Sequence, residues 1–355
     1  MRVSQTQGSF PAVLIQDPDA RLGHPPEDLE EELAAALPET QGPRFFPMLR
    51  NLGWHLVAFI LLGAAAYILW REFHEISLAE LAAAIAAWGW GSVVLALGLS
   101  ATSFLLMGTI EWLGLRWAGA KIAVTSALAG SFIASAIAHT LGANLIVSGA
   151  VRARYYAKHG ISLRQVAATT LFHGFSFSVG LSTLAGLALL LAGSRDIASV
   201  SRIANPVADW LGVILLSAVT AYVILCATLR RPLSGFGHSV RLPSVRTALA
   251  QLSIGAVDNA VAAAIIWVLL PEGSIGYLTF VGAYAPSVVV GLVSHVPGGV
   301  GVFEGSVSTL LKGLAPAPLA AAFLGYRLFF FLLPLLIAGV ALALDTLRER
   351  GRASS

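Results

Sequence analysis

Charge is what this sequence lacks most. Asp, Glu, Lys and Arg supply only 12% of its 355 residues, about half the ~25% of an ordinary soluble domain, while 57% of residues are hydrophobic. With a strongly positive mean hydropathy, the chain has too few polar groups to cover an aqueous surface. It reads as an all-α polytopic membrane protein, because a helix satisfies its own backbone in lipid. Cysteine is nearly absent too. Cys226 stands alone, which rules out an intrachain disulfide. The formal charge is only +3, and the basic residues fall in loops and at helix ends rather than in one patch interleaved with aromatics. No nucleic acid partner is expected.

Signatures of catalysis and cofactor binding are missing as well. No Walker loop, nucleophile elbow or paired-cysteine motif occurs. "GGVGVFE" (298–304) lacks the third glycine and the preceding strand of a dinucleotide fingerprint. His139, His173 and His295 are not spaced with partners in a ligand motif such as H-E-x-x-H. No cofactor or metal is expected.

What is present is apolar helix. Residues 1–51 differ from the rest, being polar, proline-bearing and acidic through "PEDLEEELAAALPE" (26–39). They read as a mostly disordered N-terminal tail in which 27–36 forms a short helix ended by Pro38. The transmembrane region, 52–346, carries eight apolar runs near the ~20 residues needed to cross a bilayer. They are 52–70, 91–113, 122–141, 165–192, 207–229, 248–270, 275–296 and 319–344. A short basic tail, 347–355, follows. "SLAELAAAIAAWGW" (77–90) opens with Ser77 and Glu80 at capping-box spacing and ends in tryptophans, the pattern of an interfacial helix. Lysines and arginines divide almost evenly between the two sets of loops, so they do not fix orientation. The basic "RERGR" (348–352) and the even span count favour cytoplasmic termini.

Two stretches resemble each other. "AHTLGANLIVSGAV" (138–151) aligns without a gap on "SHVPGGVGVFEGSV" (294–307), 156 residues later, so that His139 meets His295, Gly142 meets Gly298 and Gly149 meets Gly305. In both copies a helix reaches a histidine and breaks at glycine. An apolar stretch too short to span follows. An internally duplicated arrangement with two re-entrant segments is the natural reading, since broken backbone survives in lipid only when wrapped in protein or lining a wet cavity.

Charges within the apolar runs mark the candidate site. Glu304, Asp258, Glu111 and Arg327 lie in or beside predicted spans. Each would cost about 3 kcal/mol facing lipid at the bilayer centre, so they are expected to face inward. For Glu304 and Asp258 a structural ion pair, or a carboxylate bonded to free backbone N–H groups, competes with a binding role. For Glu111 and Arg327 the competing reading is a position near the interface, where long side chains snorkel. In "SGAVRARYYAKHG" (148–160), Arg152 and Arg154 stand beside Tyr155 and Tyr156. Guanidinium pairs bidentately with phosphate, so this set suits a headgroup phosphate, with positive-inside anchoring as the alternative.

Taken together, "SGAVRARYYAKHGISLRQVA" (148–167), "PGGVGVFEGSV" (297–307) and "YRLFFFLLP" (326–334) resemble the transmembrane, flippase-like region of lysylphosphatidylglycerol synthases, over about residues 50–347. The resemblance implies a bacterial inner-membrane protein moving a lipid with a charged headgroup between leaflets. Full-length synthases continue into a soluble aminoacyl-transfer domain. Here only 347–355 follow the last span, so the resemblance implies no synthase activity. Stand-alone relatives are associated with lipid pathways such as hopanoid synthesis. A scaffold or accessory protein that transports nothing, partnered by lipid-synthesis enzymes or by further copies of the chain, therefore stands as the alternative. The expected headgroup site comprises Arg152, Arg154 and Tyr155 for phosphate, Asp258 and Glu304 for a cationic group, Arg327, and Gly298 and Gly299 for close backbone approach.

Overall fold

The computed structural model describes residues 77–141, 144–191, 205–229, 233–235, 238–240, 242–294, 296–311 and 313–342. The N-terminal tail 1–51, the first predicted span at 52–70, the C-terminal tail 347–355, and His295 and Gly142 in the aligned repeat lie outside the described residues.

The first described helix, α1 (Leu78–Ala86), is set by its cap. Ser77 Oγ accepts from the Glu80 N–H at 3.1 Å, and Glu80 Oε2 accepts from the Ser77 N–H at 2.8 Å. Both bonds satisfy backbone donors that a helix start leaves open. None of its residues is buried. The chain then enters α2 (Trp90–Trp117), α3 (Val124–Leu141), α4 (Asn144–Ala157), α5 (Leu163–Leu191) and α6 (Asn205–Thr228). A two-stranded antiparallel ribbon, β1 (Leu233–Gly235) with β2 (His238–Val240), leads to α7 (Val245–Trp267) and α8 (Tyr277–Val293). A tight turn over Pro297–Gly299 precedes α9 (Val302–Leu310), and α10 (Pro316–Leu342) closes the described chain.

Five of these helices, α2, α5, α6, α7 and α10, are long and apolar enough to cross a membrane. The predicted spans at 122–141 and 275–296 are not among them. The apolar part of α3 ends at Thr140 and α8 at Val293, and at ~1.5 Å per residue neither reaches the ~30 Å of a hydrocarbon core comfortably. Both observed helices start two residues later than the predicted runs, and α8 also ends three residues earlier, because apolar loop residues at their ends count toward hydropathy without being helical.

Each short helix folds back onto the next. Tyr156 Oη at the end of α4 donates to the Ala127 carbonyl at the start of α3, 3.2 Å away, and Gly130 leaves room for the rings of Tyr155 and Tyr156. In the second hairpin, Phe303 of α9 meets the Tyr284 ring edge-on at 5.7 Å, and Gly291 near the turn faces Phe303 and Gly299. The turn runs through Gly298, Gly299 and Gly301 at φ of 62°, 63° and 82°, a left-handed region closed to most side chains. Only glycine lets the chain reverse there and restart a helix at Val302.

The hairpins come from opposite ends of the bundle. Gln165, opening α5, donates from its amide to the Ala118 carbonyl just past α2 at 3.4 Å, so the α3–α4 hairpin leaves and returns at that end. The other end holds Trp88, ahead of α2, whose indole donates to the Leu269 carbonyl just past α7 at 3.1 Å. Leu269 also packs on Gly325 of α10, so the α8–α9 hairpin leaves and returns at that end. Their tips meet between the two: a Cβ on Gly298 would stand 3.5 Å from the His139 carbonyl.

The long helices approach closely through glycine. A Cβ on Gly180 of α5 would collide with the Gly255 backbone of α7, the small-residue contact that lets helix backbones pack in lipid. The core joins α2, α3, α7, α8, α9 and α10 through Phe104, Ile133, Ile266, Phe280, Phe303 and Phe330. Outward faces stay apolar, as at Leu105, Trp210, Val257 and Leu336, the arrangement expected where the surroundings are lipid.

Candidate functional site

Two buried charge centres lie on the hairpins. In the first, Arg152 of α4 is 2% exposed, and its Nε donates to both oxygens of Glu111 on α2, at 2.8 and 2.9 Å. His173 of α5 completes the group, its Nδ1 lying 3.2 Å from Glu111 Oε2 and 3.4 Å from Arg152 Nη2. One nitrogen cannot donate and accept at once. With the proton on Nδ1 the histidine bonds Glu111, and without it Arg152 can donate to the ring.

The second centre sits at the glycine turn. Glu304, in the first turn of α9, accepts from Arg327 Nε at 2.8 Å and Nη2 at 2.6 Å through Oε1, and from the Gly301 N–H at 2.8 Å through Oε2. A carboxylate is favoured there by the open N–H groups and partial positive charge of a helix start. Arg327 also donates from Nη1 to the Gly298 carbonyl at 2.5 Å, and its guanidinium lies 4.6 Å over the Phe331 ring. Arg327 opens a π-helical stretch, Arg327–Leu332, inside α10. Such a one-turn widening costs hydrogen-bond quality and is characteristic of functional sites. Here it brings Arg327 to the turn. The aromatic wall beside it stacks Tyr326 on Phe330 at 5.3 Å and Phe330 on the His139 ring at 5.6 Å.

Each expected site residue now has a position. Arg152, Glu304, Arg327 and Gly298 are brought into the two centres. Glu111 and Arg327 are inside the protein, not snorkelling: Glu111 is 0% exposed and Arg327 16%. The charges pair within each hairpin's own half of the chain, Arg152 with Glu111 and Glu304 with Arg327, rather than across the halves. Arg154, two residues from Arg152 and so on another helix face, is exposed. Tyr155 is half-buried, stacked on His159 at 5.3 Å. Gly299 faces Gly291 at the root of the turn. Asp258 stands apart, on α7, accepting from Ser103 Oγ of α2 at 2.5 Å. Among the described residues no group of three or more His, Cys, Asp or Glu side chains could hold a metal.

His173 and Ser103 were not legible as site residues. A histidine 62 positions from its glutamate and a serine 155 from its aspartate carry no local spacing signal, and only helix packing pairs them.

A family described as the lysylphosphatidylglycerol synthase TM region matches residues 55–338. The chain belongs to that family. Two relatives of this synthase TM region family fit the same reading. The chain is 31% identical over 269 residues to "Inner membrane protein YbhN" of Escherichia coli (strain K12), covering 73% of this chain and 82% of that protein. It is 27% identical over 259 residues to "Uncharacterized protein slr0712" of Synechocystis sp., covering 72% and 80%. Membership, with five long apolar helices, makes this a multi-pass membrane protein of a lipid-related family.

Proposed function

We propose that the protein is a flippase-like translocase of the bacterial inner membrane, moving a lipid with a charged, aminoacylated or otherwise modified headgroup between leaflets without covalent chemistry. The observation that carries the reading is the meeting of two hairpins, from opposite ends of the bundle, at His139 and Gly298 beside the Glu304–Arg327 pair. Duplication accounts for the symmetry. Shifted by 156 residues, the starts of α2, α3, α4 and α5 fall at 246, 280, 300 and 319, beside the observed starts of α7 to α10 at Val245, Tyr277, Val302 and Pro316. Two halves of opposite orientation, with broken helices between them, are the recurring architecture of alternating-access transporters. In this reading α3–α4 and α8–α9 are re-entrant segments and the acyl chains stay in lipid.

A zwitterionic headgroup can replace a buried ion pair one charge at a time. Its phosphate takes the Arg327 guanidinium, its ammonium takes Glu304, and no charge is stranded during the exchange. Stranding one partner would cost about 3–5 kcal/mol. Arg152 and Glu111 repeat the arrangement in the other half, with exposed Arg154 and Tyr155 meeting phosphate at the rim of α4. Gly298 and Gly299 allow close backbone approach.

One observation favours a second reading, a non-transporting scaffold for lipid-synthesis enzymes: in both pairs the carboxylate already holds its guanidinium without a ligand. Reconstitution separates the two. Fluorescent lysylphosphatidylglycerol or phosphatidylethanolamine in vesicles should change leaflet faster with wild-type protein than without, measured by quenching of the outer leaflet. Folded protein that leaves the probe static would favour the scaffold.

A further inference from the structure

Two of the three carboxylates at the helix interfaces of the described bundle are matched by a guanidinium. Glu111 has Arg152 and Glu304 has Arg327. Asp258 has none, and its one hydrogen-bond partner among the described residues is the Ser103 hydroxyl. It sits where α7 crosses α2, the first long helices of the two related halves.

The side chains and carbonyls that hydrogen-bond α7 from its neighbours are neutral. From α2 comes Ser103. From α5 come Ser176, bonded to Gln251, and Phe177, whose carbonyl takes Asn259. Tyr222 of α6 bonds Gln251 at 2.6 Å. From α8, Tyr277 bonds the Ala260 carbonyl at 2.6 Å. Of the cations on these packed helices, Arg327 is engaged by Glu304 and His173 by the Arg152–Glu111 pair, while Arg116 and Arg164 are exposed, Arg116 near the end of α2 over the Trp112 ring and Arg164 in the first turn of α5.

An intramembrane carboxylate without a fixed counter-charge recruits a mobile one. A hard metal cation needs several oxygen ligands at once, and here one hydroxyl lies within bonding distance. A proton needs a single oxygen. We infer that Asp258 takes up and releases a proton as the two halves move against each other, coupling lipid movement to the proton gradient. Its partner Ser103 belongs to the other half, so a change of charge at Asp258 acts on the contact along which the halves move. The inference rests on the transport reading above and supplies its energy source.

The test has two arms. Infrared spectra of the protein in nanodiscs, taken across a pH series, should show a protonated-carboxyl band that Asp258→Asn removes. Asp258→Glu should keep the band at a shifted frequency, and Asp209→Asn, on the exposed face of α6, should leave it alone. In vesicles, a gradient of about one pH unit should bias wild-type movement of labelled lysylphosphatidylglycerol by up to about tenfold, as one coupled proton allows. Asp258→Asn should ignore the gradient. No titrating band, a band surviving in Asp258→Asn, gradient-insensitive wild-type movement, or a sodium gradient replacing the proton gradient each overturns the inference. Static lipid beside an Asp258-dependent band sinks the transport reading instead and leaves the proton site standing.

Discussion

Replacing Glu304 by glutamine tests whether the turn centre is the sealed pair described above. The substitution keeps shape and removes charge. Oε1 currently receives two Arg327 N–H groups and Oε2 the Gly301 N–H, so whichever way the amide is turned, its NH2 opposes a donor. The guanidinium is left without its anion, and removing one partner of a buried pair costs about 3–5 kcal/mol. Arg327 keeps 16% exposure and the Phe331 ring at 4.6 Å. A cation over an aromatic face recovers roughly 1–2 kcal/mol, which places the expected loss near the low end, about 3 kcal/mol. Arg327→Met should cost a similar amount, because Glu304 then keeps only the Gly301 N–H. The double variant removes both charges, so it should be less destabilised than the sum of the singles by about 2 kcal/mol or more. Unfolding by denaturing detergent in mixed micelles, followed by circular dichroism, measures all three. Singles costing under about 1 kcal/mol, or a double variant that is simply additive, would refute a buried, mutually dependent pair.

Other outcomes follow from the same geometry. Gly255→Leu should drive α5 and α7 apart, since a Cβ there would stand 2.5 Å from the Ser176 carbonyl; overpacking costs about 1–3 kcal/mol or more, and loss of a monodisperse peak in size-exclusion chromatography reads it. Gly298→Ala combines a left-handed φ of 62° with a Cβ 3.3 Å from Arg327 Nη1; a penalty of about 1–2 kcal/mol and slowed lipid movement are expected. Arg152→Met should strand the fully buried Glu111 and cost about 3–5 kcal/mol, whereas exposed Arg154→Met should stay within about 0.5 kcal/mol in the same unfolding assay. The Glu80 carboxyl is held below its ordinary value by the Ser77 backbone and side-chain hydrogen bonds. A depressed carboxyl stabilises the α1 cap above the ordinary glutamate range and loses that contribution as pH falls through its folded value, so the protection of α1 amides against exchange, relative to the intrinsic rate at each pH, should fall in acid and do so less in Ser77→Ala.

Composition and motif carried the class and the family. Scarce charge and long apolar runs specify helices in lipid because no other open structure satisfies its backbone there. Ser77 and Glu80 announced the first cap, and the glycine run at 298–301 announced the broken helix, because these are local effects of one or a few residues. The breaks after α3 and α8 were legible, but hydropathy still counted both as spans, since the apolar residues just outside each helix lengthen the run without adding helix. Pairing lay wholly beyond it. Glu111 reads as a lone acid until α4 is folded against α2, and whether Arg327 faces lipid or Glu304 depends on the rotation imposed by a π-helical turn in α10. Ion-pair partners are chosen by which helix faces meet, a property of the packed bundle that no spacing along the chain encodes. The chain determined which charges must be hidden from lipid, and the tertiary structure alone decided which charge each would face.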